Sequence, residues 1–138
     1  MKNVLYILFI FSAIAPAIVL TFLTLGVLPT LILDFDFSLK GILLILSCIF
    51  CLCGFAGLIL LMPGPIPRLY SINIFLLILG ISGFVLFNII EGGQKAWKWI
   101  LTIEEPGEWF IYVWPNIVSL TFIIVLYRKI LVNRKSKD

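Results

Sequence analysis

Long apolar segments alternate with short polar ones along this chain, and each apolar segment has the length of a membrane helix. A helix that crosses the hydrocarbon core needs about 20 mostly apolar residues. Four segments satisfy this without Asp, Glu, Lys, Arg or His: residues 4–27, 41–62, 69–90 and 109–127. The pattern predicts a single-domain, all-α polytopic membrane protein with four transmembrane helices.

Proline and glycine mark the connections between these segments. The first uncharged segment continues to Leu33, and Gly26 and Pro29 within it predict that its last part leaves the bilayer. Segment 63–67 contains three prolines, which lack backbone donors and cannot continue a helix. Such a short link predicts that the second and third helices form an antiparallel hairpin. The glycines in segment 91–93 predict the end of the third helix.

The connection between the third and fourth segments contains a different kind of helix. On a helical wheel of residues 94–104, Trp97 and Trp99 share an apolar side, while two lysines occupy the opposite side. This pattern predicts a short amphipathic helix in the membrane interface. Trp97, Trp99 and Trp109 are its expected anchors at headgroup depth. A lid or a docking surface is the alternative role for this helix.

Composition places the whole chain in a membrane. Hydrophobic residues make up 62% of its 138 residues and charged residues 12%, against roughly 45–50% and 25% in soluble domains. A chain this short cannot bury so much apolar surface in its own core. Lipid is therefore the solvent for most of its side chains.

Charges divide unevenly between the two sides that four crossings create. With the N-terminus in the cytoplasm, seven basic residues and one acidic residue fall on the inner side, giving a net charge of +6. Three basic and six acidic residues fall on the outer side, giving −3. Because cytoplasmic connections carry an excess of Lys and Arg, both termini are predicted to be cytoplasmic. The predicted location is the cell inner (plasma) membrane.

Groups that carry chemistry are missing from the four segments. Intramembrane ionisable side chains usually mark proton relays, coupled transport or voltage sensing, and here the segments have none. Histidine is absent from the chain, which removes the commonest metal ligand and general base. Cys48, Cys51 and Cys53 are interpreted as small packing residues. We expect no catalytic residue, no metal and no cofactor, and predict that the protein is not an enzyme.

Small and polar residues within the segments indicate close packing between helices. Cys53 and Gly57 form a small-xxx-small pattern, and small residues let helix backbones approach closely in lipid. Asn73, Asn88, Asn116 and Ser119 are expected to hydrogen-bond across helices. Pro16 and Pro115 are expected to kink theirs. The predicted packing or oligomer-interface residues are Cys53, Gly54, Gly57, Gly80, Gly83, Asn116 and Ser119. Packing within one chain and a pore lining are alternatives to the homo-oligomer that we favour.

Basic residues gather on the predicted cytoplasmic side. They set the topology and attract anionic lipid by about 1 kcal/mol each near the surface, which is the routine role of basic residues beside a span. An acidic cytosolic protein is the alternative partner. The residues with these two candidate roles are Arg68, Arg128, Lys129, Arg134, Lys135 and Lys137, most of them in the basic tail 128–138. Membrane lipid and a cytosolic protein are thus the expected partners, with no direct contact to nucleic acid.

In its layout of four uncharged helices, acidic outer connections and a basic tail, the chain resembles the membrane subunit of the Kiwa antiphage system. The resemblance implies a bacterial sensor or scaffold that recruits a DNA-binding cytosolic effector. Asp34, Asp36 and the amphipathic helix would then face the sensing side. An oligomeric channel or holin-like pore, and an immunity protein against a pore-forming toxin, are the alternatives. The pore would require the polar side chains of Asn73, Asn88, Asn116 and Ser119 to line one path.

Overall fold

The computed structural model describes residues 2–34, 38–92 and 106–135. Within these ranges the regular structure is helical throughout. The helices are α1 (Lys2–Leu33), α2 (Leu39–Leu61), α3 (Tyr70–Gly92), α4 (Pro106–Tyr112) and α5 (Trp114–Lys135). All but α4 are long and apolar enough to cross a membrane. The predicted all-α fold with four membrane-spanning helices is confirmed, and the chain is a multi-pass membrane protein.

The turn between α2 and α3 forms where three prolines exclude a continuous helix. Gly64 adopts a positive φ of 98°, which favours glycine. A turn of 3-10 helix, Pro67–Leu69, then leads directly into α3. The two helices pack against each other along their length, so the hairpin is as expected. We call this end of the bundle, with residues 62–69, the turn end, and the opposite end, with the α1–α2 connection, the loop end.

Helix α1 continues to Leu33, beyond residue 27 where the sequence predicts its span to end. Neither Pro16 nor Pro29 interrupts it. Each proline removes one backbone hydrogen bond, but ending a helix within an apolar segment would leave several backbone groups without partners in lipid. Continuing the helix therefore costs less than breaking it.

The segment predicted as one fourth helix, residues 109–127, is instead divided at Val113 into α4 and α5. Pro115 is the second residue of α5. In the first turn of a helix its missing N–H needs no partner. The helix is thus interrupted beside Pro115, the residue at which a kink was expected, and Pro115 lies in the first turn of α5.

The four long helices surround a common core. Helix α2 packs against α1 and α3, and α5 packs against α3 and α1. The Tyr6 hydroxyl donates a hydrogen bond of 2.8 Å to the Leu61 carbonyl, which joins the start of α1 to the end of α2. Fully buried side chains from all four helices meet in this core: Ile10, Leu61, Leu77, Val118 and Leu126.

Candidate functional site

Four glycines bring α2 and α3 into close contact, and we call this contact the glycine seam (Gly54, Gly57, Gly80 and Gly83). A Cβ placed on Gly54 would lie 2.5 Å from the Cα of Gly80. A Cβ placed on Gly83 would lie 2.7 Å from the Ser47 carbonyl oxygen. These glycines therefore pack two helices of the same chain, which is the intramolecular alternative for these positions.

The cysteines lie in α2 beside the glycine seam. All three are free thiols; Cys48 is buried, and Cys51 and Cys53 are half-buried. In the described part of the chain, no group of three His, Cys, Asp or Glu side chains is placed to hold a metal ion. Cys53 is thus close to the seam, while Gly54 makes its tightest backbone contact.

Trp114, at the break before α5, joins α5 to α4 and α1. Its indole N–H donates a hydrogen bond of 3.0 Å to the Ser12 hydroxyl. Its ring lies 5.9 Å from Phe9, 6.3 Å from Phe110 and 6.4 Å from Trp109, measured between centroids. This cluster was not predicted from the sequence. The tryptophan that directly precedes a proline in an uncharged apolar segment is the feature that could have indicated it.

A cavity of about 450 Å³ lies between the four long helices. From α1 it is lined by residues between Ala17 and Val27, and from α2 by residues between Ser47 and Leu58. Gly80, Phe84, Phe87 and Asn88 of α3 complete it together with Tyr112, Pro115, Asn116 and Ser119. Small-molecule sites in proteins have volumes of roughly 300–1,000 Å³, so this space is large enough to hold a ligand.

Three polar side chains around the cavity each donate a hydrogen bond to the carbonyl four residues earlier. Thr24 Oγ1 donates to the Leu20 carbonyl at 2.8 Å, and Asn88 Nδ2 donates to the Phe84 carbonyl at 2.8 Å. Asn116 Nδ2 donates to the Tyr112 carbonyl at 2.9 Å, across the break before α5. Among the described residues, the hydrogen bonds of the Asn88 and Asn116 side chains are thus local, whereas bonds between spans were expected. Such local bonds satisfy a polar group where lipid offers no partner.

Asn73 is separate from this group of polar residues. It is 4% exposed, and its Oδ1 atom has no hydrogen-bond partner among the described residues. It does not line the cavity, whereas Asn88, Asn116 and Ser119 do. The pore alternative required all four to line one path, and only these three meet at one cavity.

The second half of α1 forms a loose wall of the cavity. Ile10, Ala13, Ile14 and Ala17 of the first half are buried, whereas no residue from Phe22 to Leu33 is. Only Thr24, Leu28 and Leu31 are half-buried there, at the spacing of one helix face. Helix α1 is therefore packed tightly near the turn end and loosely near the loop end.

Exposed basic side chains gather at the turn end. Arg68 lies in the turn before Tyr70, and Arg128 and Lys129 follow Leu126. Because Tyr70 and Leu126 belong to one buried cluster, the three cations share this end. We call Arg68, Arg128 and Lys129 the basic end.

The remaining predicted site residues are only partly within the described chain. Trp109 lies in α4 and is 38% exposed. Arg134 and Lys135 belong to the last turn of α5, but their side chains are outside the described part. Lys137 and the interfacial helix at 94–104, with Trp97 and Trp99, also lie outside it.

Comparison with known proteins gives no family for this chain. No protein-family model, curated protein or solved structure matches it significantly. Neither a family's activity nor a relative's binding partner can be transferred to it.

Proposed function

We propose that this protein is a non-enzymatic sensor or scaffold of the inner membrane that recruits a cytosolic effector through its basic end. The observation that carries the proposal is the separation of charge along the bundle. Arg68, Arg128 and Lys129 are exposed at the turn end, where the described residues include no acid. The described acidic side chains, Asp34 and Glu108, belong to other connections.

This separation supports an orientation with both termini in the cytoplasm. Basic residues close to the ends of membrane helices are retained on the cytoplasmic side. The basic end then faces the cytosol, where it meets anionic lipid headgroups and acidic protein surfaces. Exposed charges of one sign raise the rate at which a partner of opposite charge associates. The proposed effector therefore carries an acidic surface, and the protein itself makes no direct contact with nucleic acid.

The resemblance to the Kiwa membrane subunit extends the proposal to antiphage defence. It favours a cytosolic effector over anionic lipid as the main partner of the basic end. In the proposed homo-oligomer, copies associate through outward faces, since the glycine seam is already occupied by α2 and α3 of one chain.

Affinity purification from bacterial membranes, with the native gene neighbourhood present, tests the recruitment. The full chain should retain a cytosolic protein in mild detergent. Replacing Arg128 and Lys129 by glutamine should release that protein, because the two cations facing it are lost. Replacing Lys95 and Lys98 by glutamine, on the predicted outer side, is the matched control and should leave the complex intact.

One control measurement and two contradicting outcomes make the result decisive. A reporter fused to the C-terminus checks that each variant keeps the cytoplasmic tail, since basic residues also set orientation. Recovery of the wild-type chain with no cytosolic protein contradicts the proposal. So does a complex that survives the Arg128 and Lys129 substitutions unchanged.

A further inference from the structure

Two cavities lie one after the other along the contact between α1 and α2. The larger one, of about 450 Å³, reaches Val27 on α1 and Ser47 on α2. A second space of about 280 Å³ begins at Thr30 on α1 and Leu44 on α2. We call it the polar notch; its lining is Thr30, Leu31, Asp34, Ser38, Lys40, Gly41 and Leu44. On each helix the two linings are three positions apart, about 4.5 Å along the axis.

The two spaces differ in chemistry. The described lining of the larger cavity is mainly aliphatic and aromatic and contains no Asp, Glu, Lys or Arg. The polar notch contains Asp34 and Lys40 at the helix ends. Moving toward the loop end, the environment therefore changes from apolar to charged within about one helical turn.

Exposed lining residues show how the larger cavity can be reached. Leu23 and Val27 of α1 are 52% and 46% exposed, and Phe87 of α3 is 44% exposed. These positions lie within membrane-spanning segments, so their exposed surfaces face hydrocarbon. A ligand can enter sideways from the bilayer, past the loosely packed second half of α1.

We propose that the cavity and the polar notch together bind one membrane lipid. Its alkyl chain lies between the four helices, where the apolar lining replaces neighbouring lipid tails. Its polar head lies at the notch beside Asp34 and Lys40, because burying a charged or zwitterionic head in the cavity would carry a large desolvation cost. The order of apolar and polar spaces along α1 matches the order of the two parts of a lipid.

Photo-labelling in vesicles tests this assignment. The protein is placed in phosphatidylethanolamine and phosphatidylglycerol vesicles that contain a minor fraction of phosphatidylcholine with a diazirine in one acyl chain. After irradiation, mass spectrometry should locate adducts on cavity residues such as Cys51 and Phe84, in addition to the general labelling of outward residues such as Phe75.

A matched pair of variants separates the cavity from the outer surface. Thr24 lines the cavity and Thr121 is exposed outside it, yet both hydroxyls donate to the carbonyl four residues earlier. Thr24→Phe should fill the cavity and remove most of the internal adducts. Thr121→Phe should leave them unchanged. Circular dichroism and size-exclusion chromatography confirm that both variants remain folded.

Three outcomes would overturn the proposal. The first is labelling of the wild-type protein confined to outward residues, which needs no variant to interpret. The second is internal labelling that Thr24→Phe does not reduce in a folded protein. The third is internal labelling by a diazirine-bearing alkane but not by the phospholipid, which would assign the cavity to headless apolar molecules. None of these results depends on whether the basic end recruits an effector.

Discussion

The glycine seam and the second half of α1 represent opposite ways of placing a helix in this bundle. At the seam, the backbones of α2 and α3 touch and leave no room for a single methyl group at Gly54 or Gly80. Along the second half of α1, a Cβ on Gly26 meets nothing within 4 Å. Because apolar side chains gain little by leaving lipid for another helix, close packing requires small residues. Where they are missing from the contact, the helix stays loose and a cavity remains beside it.

The largest expected effect is at the seam. Gly80→Ala should lower the free energy of unfolding by about 3 kcal/mol, because the new methyl group meets the Gly54 backbone and the helices must separate. Unfolding in mixed micelles with a rising fraction of dodecyl sulfate measures the change. A decrease in unfolding free energy no larger than that of an ordinary surface substitution would show that the two helices separate easily. The glycine seam would then be no more tightly packed than the second half of α1.

Trp114 tests whether the tight region extends to the corner between α4 and α5. Trp114→Phe should lower the unfolding free energy by about 2 kcal/mol, since it removes the hydrogen bond to Ser12 and part of the ring contacts. Ser12→Ala in the same background completes a double-mutant cycle. Additive losses would mean that the two side chains do not interact, because coupled pairs show an interaction energy.

Tyr6→Phe tests the tightly packed first half of α1 by removing a single hydroxyl oxygen. Tyr6→Phe should cost about 1 kcal/mol, the usual net value of one such hydrogen bond, because only the bond to the Leu61 carbonyl is lost. The ring contact with Phe122, 5.5 Å between centroids, is retained. Tyr127, which is 57% exposed, supplies the control. If Tyr127→Phe lowers the unfolding free energy by as much in the same assay, the hydrogen bond of Tyr6 does not contribute specifically to stability.

The smallest effect is expected in the open half of α1, with the opposite sign. Gly26→Ala should raise the unfolding free energy by about 0.5 kcal/mol, because alanine favours a helix and nothing obstructs its methyl group. The same micelle titration applies. Destabilisation at this position would indicate that the second half of α1 is packed more closely than its exposure suggests.

The sequence is sufficient to predict the number of spans and the hairpin. Uncharged segments of membrane length indicate transmembrane helices. The three prolines of segment 63–67 indicate a tight turn between two of them. The glycines of the seam are also identifiable as packing residues. Their partners are not, since the same small residues serve contacts within a chain and between chains, and only the structure brings Gly54 onto Gly80.

The division of the fourth segment and the cavity could not be predicted in this way. Residues 109–127 contain no charged side chain, and Pro115 fits both a kink and a helix start. At the break, Trp114 hydrogen-bonds to Ser12, which is 102 residues away in sequence. The cavity in turn depends on where α5 begins relative to α1 and α3. Local periodicity carries no information about such an arrangement of distant elements.

The unequal lengths of the spans have a consequence for the surrounding bilayer. The apolar part of α1 has 28 residues and that of α5 has 19, or about 42 Å and 28 Å of helix against a hydrocarbon core of about 30 Å. Helix α1 must tilt strongly, thicken the bilayer beside it or extend its last turns out of the hydrocarbon core. Helix α5 fits a bilayer of ordinary thickness. Such mismatch costs fractions of a kcal/mol per Å. Neighbouring copies that join their α1 sides would share this deformation, so bilayer thickness itself becomes a variable that controls where the protein gathers.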